Sequence, residues 1–365
     1  EWVVLCQFGQ WFTYSIVETA VELSQSPTEN STLRPSGDDF RTIWQKPGHP
    51  TVLQIIDQRK LPHEYVIRDL ETWEDGAAAI RDMLVRGAPL IGATAAWSLY
   101  LAAVAEQDAE VCGAFVLSAA DALAETRPTA VNLRWALDRM RNVIAGCRPD
   151  HLVQCLEDEA RAICDEDVEI SRGIGMQGLA LIEEISARKK GDAVNILTHC
   201  NAGALATINY GTATAPVYFA HAKGIKVHVW VDETRPRNQG SQLTAWELAE
   251  NSVPHTLIVD NAGGYLMQQG LVDICITGTD RTTRNGDVAN KIGTYLKALA
   301  AKDNDIPFYV ALPSTTIDWM MTDGLKNIPI EERDPSEVRE IYGRAGNELC
   351  AVNTVASNTP VSNFA

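Results

Sequence analysis

"ILTHCNAGALAT", residues 196–207, decides how the second half of the chain is read. A short apolar run stops at His199, Cys200 and Asn201, and glycine and small residues follow. A strand that empties into polar and reactive side chains has the pattern of a strand-to-helix junction in a mostly parallel sheet. In such sheets ligands sit outside the carboxyl ends of the strands.

Toward the C-terminus the pattern repeats. "AVNILTH", "KVHVWVD", "HTLIVD", "DICITGTD" and "FYVALP" read as strands. They alternate with the helical stretches "SQLTAWELAEN", "GGYLMQQG" and "DVANKIGTYLKALAAKD". Residues 189–365 are therefore expected to form a Rossmann-like domain with a parallel sheet between helices. The residues that leave these strands gather on one rim: His199 and Cys200; Asp232, Glu233, Thr234 and Arg235; Asp260 and Asn261; Thr279 and Asp280; Pro313, Ser314 and Thr315.

Toward the N-terminus the period becomes helical. "TWEDGAAAIRDMLVRGAPLIGATAAWSLYLAAVAE" carries it with a break at Gly87 and Pro89, and "AFVLSAADALAET", "NLRWALDRMRNVIAG" and "HLVQCLEDEARAICDEDVEISRGIGMQGLALIEEI" continue it. The fold class is thus α/β, with a mainly helical domain over residues 40–188 ahead of the sheet. Residues 1–39 lack the basic start of a signal peptide and are too polar to span a membrane. They are set apart as an extension outside the fold, ending in a flexible linker, "SQSPTENSTLRPSGDD". "GIGMQG", residues 173–178, matches a dinucleotide fingerprint in letters, but an acidic helical run precedes it where a strand is required. Its glycines are expected to let helices approach closely, and no nicotinamide cofactor is expected.

The net charge of −17 argues against a nucleic-acid backbone as partner, yet leaves room for a small phosphorylated molecule. The eight cysteines form no CxxC pair, so no metal site is expected, and scattered thiols suit a reducing, cytoplasmic setting. Seven of them are read as small hydrophobes or incidental. Cys200 differs by its place at a strand end before an expected helix start, which would lower its pKa and attract anions. Asp280 could cap a helix or pair with Arg281; it could equally serve as a general acid, its pKa raised by desolvation. Arg86, beside Gly87, and Arg127, before a helix start, are isolated cations suited to one phosphate. Arg235, Arg237, Arg281, Arg284 and Lys291 also fall near the rim.

Taken together, "MLVRGAPLIG", "RPTAVNLRWAL", "LTHCNAGALAT", "DETRPRNQGSQLTAWEL", "DNAGG", "NGDVANKIGTY" and "IPIEERDP" resemble the methylthioribose-1-phosphate isomerase family from about Phe40 onward. That family shares its fold with regulatory subunits of the translation-initiation guanine-nucleotide exchange factor, which are binding proteins, so fold alone does not imply catalysis. The resemblance implies a catalytic pair at Cys200 and Asp280. It also implies substrate contacts at Arg86, Gly87, Ala88, Arg127, Gln239, Asn290 and Lys291. It further implies a sugar-phosphate substrate, no cofactor or metal, no nucleic-acid or membrane partner, and a homodimer. The reaction implied is aldose-to-ketose conversion of 5-methylthioribose 1-phosphate in methionine salvage. Alternatives are isomerisation of ribose 1,5-bisphosphate, for which Arg284 would supply an extra cation, and a non-catalytic binding role. Against the family pattern, "TPVSNFA" at the C-terminus reads as cut short. Trp246 and Met267 are candidates for an apolar pocket at the methylthio end, although core positions suit both.

Overall fold

The computed structural model describes residues 2–7, 10–15, 37, 39–106 and 108–364. The expected linker, residues 24–39, lies outside them apart from residues 37 and 39. Strands β1 (Trp2–Gln7) and β2 (Gln10–Ser15) pair as an antiparallel hairpin. Strands β3 (Ile43–Lys46), β4 (His49–Ile56) and β5 (Ile67–Leu70) form a separate antiparallel sheet.

Five helices follow: α1 (Trp73–Arg81), α2 (Ala88–Ala105), α3 (Ala109–Ala124), α4 (Val131–Gly146) and α5 (Leu152–Lys189). The sequence sets their starts locally. Thr72 Oγ1 accepts from Asp75 N at 3.1 Å and Asp75 Oδ2 accepts from Thr72 N at 3.0 Å, a capping box that contributes about 1 kcal/mol. Gly87, at φ 96°, and Pro89 start α2. That helix is apolar on every side because it is the buried centre of the helical layer. By length and composition it could cross a membrane, yet 78% of it is buried inside the protein. Trimming one of its fully buried leucines, such as Leu99, to alanine would cost about 2–5 kcal/mol.

The second half alternates as its pattern demands. In order come β6 (Val194–Thr198), α6 (Ala215–Ala222), β7 (Val227–Asp232), α7 (Ala245–Glu250), β8 (His255–Ile258), α8 (Ala262–Gln268) and β9 (Ile274–Thr277). Next are β10 (Arg281–Thr283), β11 (Val288–Ala289), α9 (Thr294–Asp303), β12 (Phe308–Pro313) and β13 (Ile317–Asp318). The chain then runs through α10 (Gly324–Asn327), α11 (Ser336–Arg339), β14 (Glu340–Ala345) and β15 (Glu348–Asn353). The large sheet has the order β2-β1-β12-β9-β6-β7-β8, and its last five strands are parallel. Inner strands such as β9 are buried on both faces, which is why they read as unbroken apolar runs. One buried cluster joins Leu99, Leu137 and Ile174 of the helices to Ile196, Val229 and Ile276 of the sheet.

The glycines of "GIGMQG" lie inside α5, where α6 seats against them: a Cβ on Gly178 would come within 2.3 Å of Pro216. Three expectations need correction, the first being that residues 1–39 stay outside the fold, since β1 pairs with β12 in the large sheet. The stretch 287–303 is helical only from Thr294, because Gly293 at φ 104° breaks the helix and β11 first pairs with β10. Cys147 and Cys155, read as incidental thiols, form a disulfide, since the turn from α4 into α5 carries one back beside the other.

Candidate active site

The sheet order fixes where the site lies. From β6 the chain steps outward to β7 and β8, whereas β9 and β12 lie on the other side, so connections diverge between β6 and β9. That switch point leaves a crevice outside the carboxyl ends of both strands. Cys200 leaves β6 into it, and Asp280 follows β9.

All nine residues implied by the resemblance line one cleft there: Arg86, Gly87, Ala88, Arg127, Cys200, Gln239, Asp280, Asn290 and Lys291. They come from six separate stretches of chain. The sequence reading missed Met83, Ile91, Thr129, Ile328, Pro329, Ile330, Glu331 and Arg333, which complete the wall. The last five belong to or border the quoted stretch "IPIEERDP", so a signal existed, but nothing local says that this segment folds back over the crevice.

Cys200 sits at φ 67°, a left-handed conformation that costs a non-glycine residue about 1 kcal/mol or more. Three hydrogen bonds hold it. Its N–H donates to Thr234 Oγ1 at 2.8 Å, its carbonyl accepts from Thr244 Oγ1 at 2.7 Å, and its thiol donates to Gln239 Oε1 at 3.3 Å. Burial pushes the thiol above its usual range, and nearby Asp280 adds to that rise; Arg86 and Lys291 pull the other way. The lowered thiol expected from a helix start is therefore not found. Only a short 3-10 turn, Ala204–Ala206, follows, and the N–H groups of Ala204 and Leu205 are taken by the Glu247 carboxylate.

The desolvation expected around Asp280 is absent as well. Its side chain is exposed to the cleft, and its N–H donates to Ala289 O at 3.0 Å, which ties the β9 exit to β11. Beyond β11, Asn290 Nδ2 donates to Thr294 Oγ1 at 2.9 Å, fixing the loop that carries Lys291.

Six cations and two carboxylates line the cleft, so an acidic protein carries a locally positive site. The two N-termini of α2 and α4 open onto it at Gly87–Ala88 and Thr129–Ala130, and neither has a side-chain cap. Uncapped helix starts favour an anion. Arg86 is buried, with its guanidinium on the side-chain and main-chain oxygens of Asn201. Arg127 pairs with Glu331 at 3.4 Å, and its Nε is buried without a partner among the described residues. The apolar wall is Met83, Ile91, Ile328, Pro329 and Ile330. Trp246 instead stacks on Tyr65, and Met267 lies in the core beneath the sheet, so neither reaches the cleft. Arg284 also lies outside it.

Behind the crevice His199 Nδ1 lies 2.8 Å from Asp232 Oδ2 and its Nε2 donates to Ile292 O at 2.7 Å. His199, Asp232 and Asp260 could offer ligand atoms to a cation. Lys297 Nζ is 3.0 Å from Asp232 Oδ2, however, and already supplies positive charge there.

Fold and cleft together define an α/β protein with a cation-lined cleft at a sheet switch point. A sequence model of the Initiation factor 2 subunit family matches residues 84–364, and the chain belongs to that family and, within it, to the methylthioribose-1-phosphate isomerases. It is 55% identical over 331 residues to the methylthioribose-1-phosphate isomerase of Desulfatibacillum aliphaticivorans, covering 90% of each chain. The crystal structure of 5-methylthioribose 1-phosphate isomerase from Pyrococcus horikoshii aligns with TM-score 0.77 and 38% identity, over 94% of this chain and 90% of that one. The translation initiation factor eIF-2B, subunit delta, from A. fulgidus aligns with TM-score 0.73 and 39% identity, over 89% and 90%.

Proposed function

We propose that this chain converts 5-methylthioribose 1-phosphate into 5-methylthioribulose 1-phosphate, with Cys200 and Asp280 as its catalytic groups. The observation that carries the assignment of roles is their placement on either side of the switch-point crevice, within one cleft with seven further matched residues. Two helix N-termini, Arg86, Arg127 and Lys291 hold the C1 phosphate. The methylthio group rests on Met83, Ile91, Ile328 and Ile330.

With the anomeric oxygen esterified, the sugar opens while still phosphorylated. Asp280 gives a proton to the ring oxygen as the C1–O bond breaks, and positive charge at C1 is shared with the ester oxygen. Hydrogen then moves from C2 to C1 and the C2 hydroxyl loses its proton to the Asp280 carboxylate, so atoms and charge balance. A thiol pushed above its usual range stays protonated, so it is not available as a base and keeps an S–H to point at the substrate. That favours direct hydride shift, with Cys200 donating to the C2 oxygen, over proton shuttling through an enediolate. Substrate and the 328–331 segment supply the water exclusion that acid catalysis by the exposed Asp280 requires.

Arg284 lies off the cleft, which removes the observation that favoured a bisphosphate substrate. Exposed Tyr265, Tyr295 and Leu296 on α8 and α9, which pack on each other, support a homodimer. A phosphorylated sugar does not cross membranes unaided, which supports a cytoplasmic setting. The test is conversion of 5-methylthioribose 1-phosphate followed by NMR in D2O, with C200A and D280N alongside. Product without deuterium at C1, absent in both variants, is the expected result. Deuterium at C1 would replace the hydride route by the shuttle, and an unchanged substrate would overturn the isomerase reading.

A further inference from the structure

The amide of Asn201 stands between two buried charges. On one side the Arg86 guanidinium directs Nη1 to Asn201 Oδ1 and Nη2 to Asn201 O at 2.8 Å. On the other, Asn201 Nδ2 donates to Glu247 Oε1 at 2.8 Å. Glu247 is fully buried and accepts three more hydrogen bonds, from Ala204 N at 2.8 Å, Leu205 N at 3.1 Å and Tyr218 Oη at 2.9 Å. The chain approaches the carboxylate so closely only because residue 203 is glycine, where a Cβ would come within 2.1 Å of Glu247 Oε2.

This geometry has a direction. Burial raises the Glu247 pKa, but the four groups that hydrogen-bond the carboxylate are all donors, so it accepts and admits only the NH2 end of the amide. The amide oxygen must then face Arg86. No carboxylate among the described residues pairs with Arg86 directly. A bidentate carboxylate would hold the guanidinium as firmly but cancel its charge at the cleft. The counter-charge is instead kept one amide away.

We propose that Glu247 is a positioning residue: through Asn201 it fixes Arg86 while leaving the guanidinium's charge available to an anionic group in the cleft. On the isomerase reading that group is the C1 phosphate, and the kinetic part of the test rests on that reading. The binding part does not.

Inorganic phosphate binding is measured by calorimetry on wild type, N201D, E247Q, the N201D/E247Q double variant and Y218F, with thermal midpoints recorded for each. Kinetics with 5-methylthioribose 1-phosphate run beside it. N201D places a carboxylate against Arg86 and is expected to weaken phosphate binding and raise KM by roughly tenfold, with a smaller change in kcat. E247Q is expected to lower both the midpoint and the affinity. The double variant restores net charge and the 201–247 hydrogen bond but moves the negative charge onto Arg86. Its midpoint is expected to recover above that of E247Q while phosphate affinity stays low. Y218F removes one donor to Glu247 on the side away from Asn201, so its midpoint falls and KM holds.

Recovery of affinity together with stability in the double variant would show a merely structural glutamate and overturn the inference. So would equal phosphate binding by N201D and wild type, a KM shift in Y218F matching that of E247Q, or no phosphate binding by wild type. Phosphate binding without turnover by wild type overturns the isomerase reading alone.

Discussion

Arg127 and Glu331 meet at 3.4 Å across the cleft, joining the loop ahead of α4 to the segment that follows α10. A carboxylate thus stands on a cation proposed to hold phosphate. The pair is partly exposed and worth under about 1 kcal/mol. E331Q should therefore lower KM for the phosphorylated substrate by a factor of roughly 3, whereas R127A should raise it by about tenfold. Steady-state kinetics on both variants check this, and an unchanged KM in R127A would remove Arg127 from the phosphate site.

The raised Cys200 pKa has a direct reading in thiol chemistry. Alkylation needs the thiolate, so iodoacetamide at pH 8 should modify Cys200 more slowly than an ordinary exposed cysteine. Phosphate in the cleft should slow it further. Peptide mapping of the alkylated protein decides, and rapid modification would show a lowered pKa. C200A should lose on the order of a hundredfold or more in kcat.

Asp167 is a buried acid on α5 that accepts from Ile208 N at 2.8 Å, and burial pushes its pKa up to about 7. Below the unfolded value of 3.8 its contribution to stability is fully present, and it is lost as pH rises through about 7. D167N keeps an acceptor for Ile208 and cannot ionise. The variant should match wild type near pH 4 and exceed it at pH 8, by on the order of 2–4 kcal/mol or several degrees in midpoint. Parallel thermal curves at both pH values would contradict the assignment.

Glu337 behaves oppositely. Despite partial burial, Arg333 and Arg237, with Asn363, hold its carboxyl down at about 2. The stability it gives is present above the ordinary glutamate value of 4.5 and disappears as pH falls toward 2. Screened by solvent, it is worth about 1–2 kcal/mol. E337Q should loosen the C-terminal segment, seen as faster hydrogen exchange over residues 328–340, and should flatten the acid limb of the stability curve.

The Cys147–Cys155 disulfide closes the far end of α4, a 16-residue helix whose first turn borders the cleft. At 1.5 Å per residue the bond lies roughly 24 Å from that turn. Reduction with dithiothreitol should lower the thermal midpoint slightly and leave KM and kcat unchanged. A kinetic effect would mean that the α4 N-terminus shifts when the bond opens.

Much of the candidate cleft was legible because parallel sheets place their strand exits on one rim. The polar residues that end each apolar run, Cys200 and Asp280 among them, mark that rim in the sequence itself. The partners that decide their electrostatics come from far along the chain and carry no local mark. Glu247 reads as one more polar position on a surface helix, yet it is fully buried and consumes the amides that would have lowered the Cys200 pKa. Nothing in the letters of residues 328–333 says where they fold, and only the folded chain brings Ile328 and Ile330 to the cleft. Met267 and Trp246 are suitable in type for a thioether pocket, but their elements point them into cores.

Helix α5 carries a mechanical consequence. Its 38 residues form an unbroken rod of roughly 57 Å, which packs on α2 and α4, seats α6 at its glycines and touches β6 and β12. A swinging closure of the helical half over the rim would have to snap this rod or split the core that it shares with the sheet. The gape of the cleft is therefore set once, when α5 folds. Any motion at the cleft that spares this rod is left to its lip, where the loop carrying Lys291 faces the strap through Glu331.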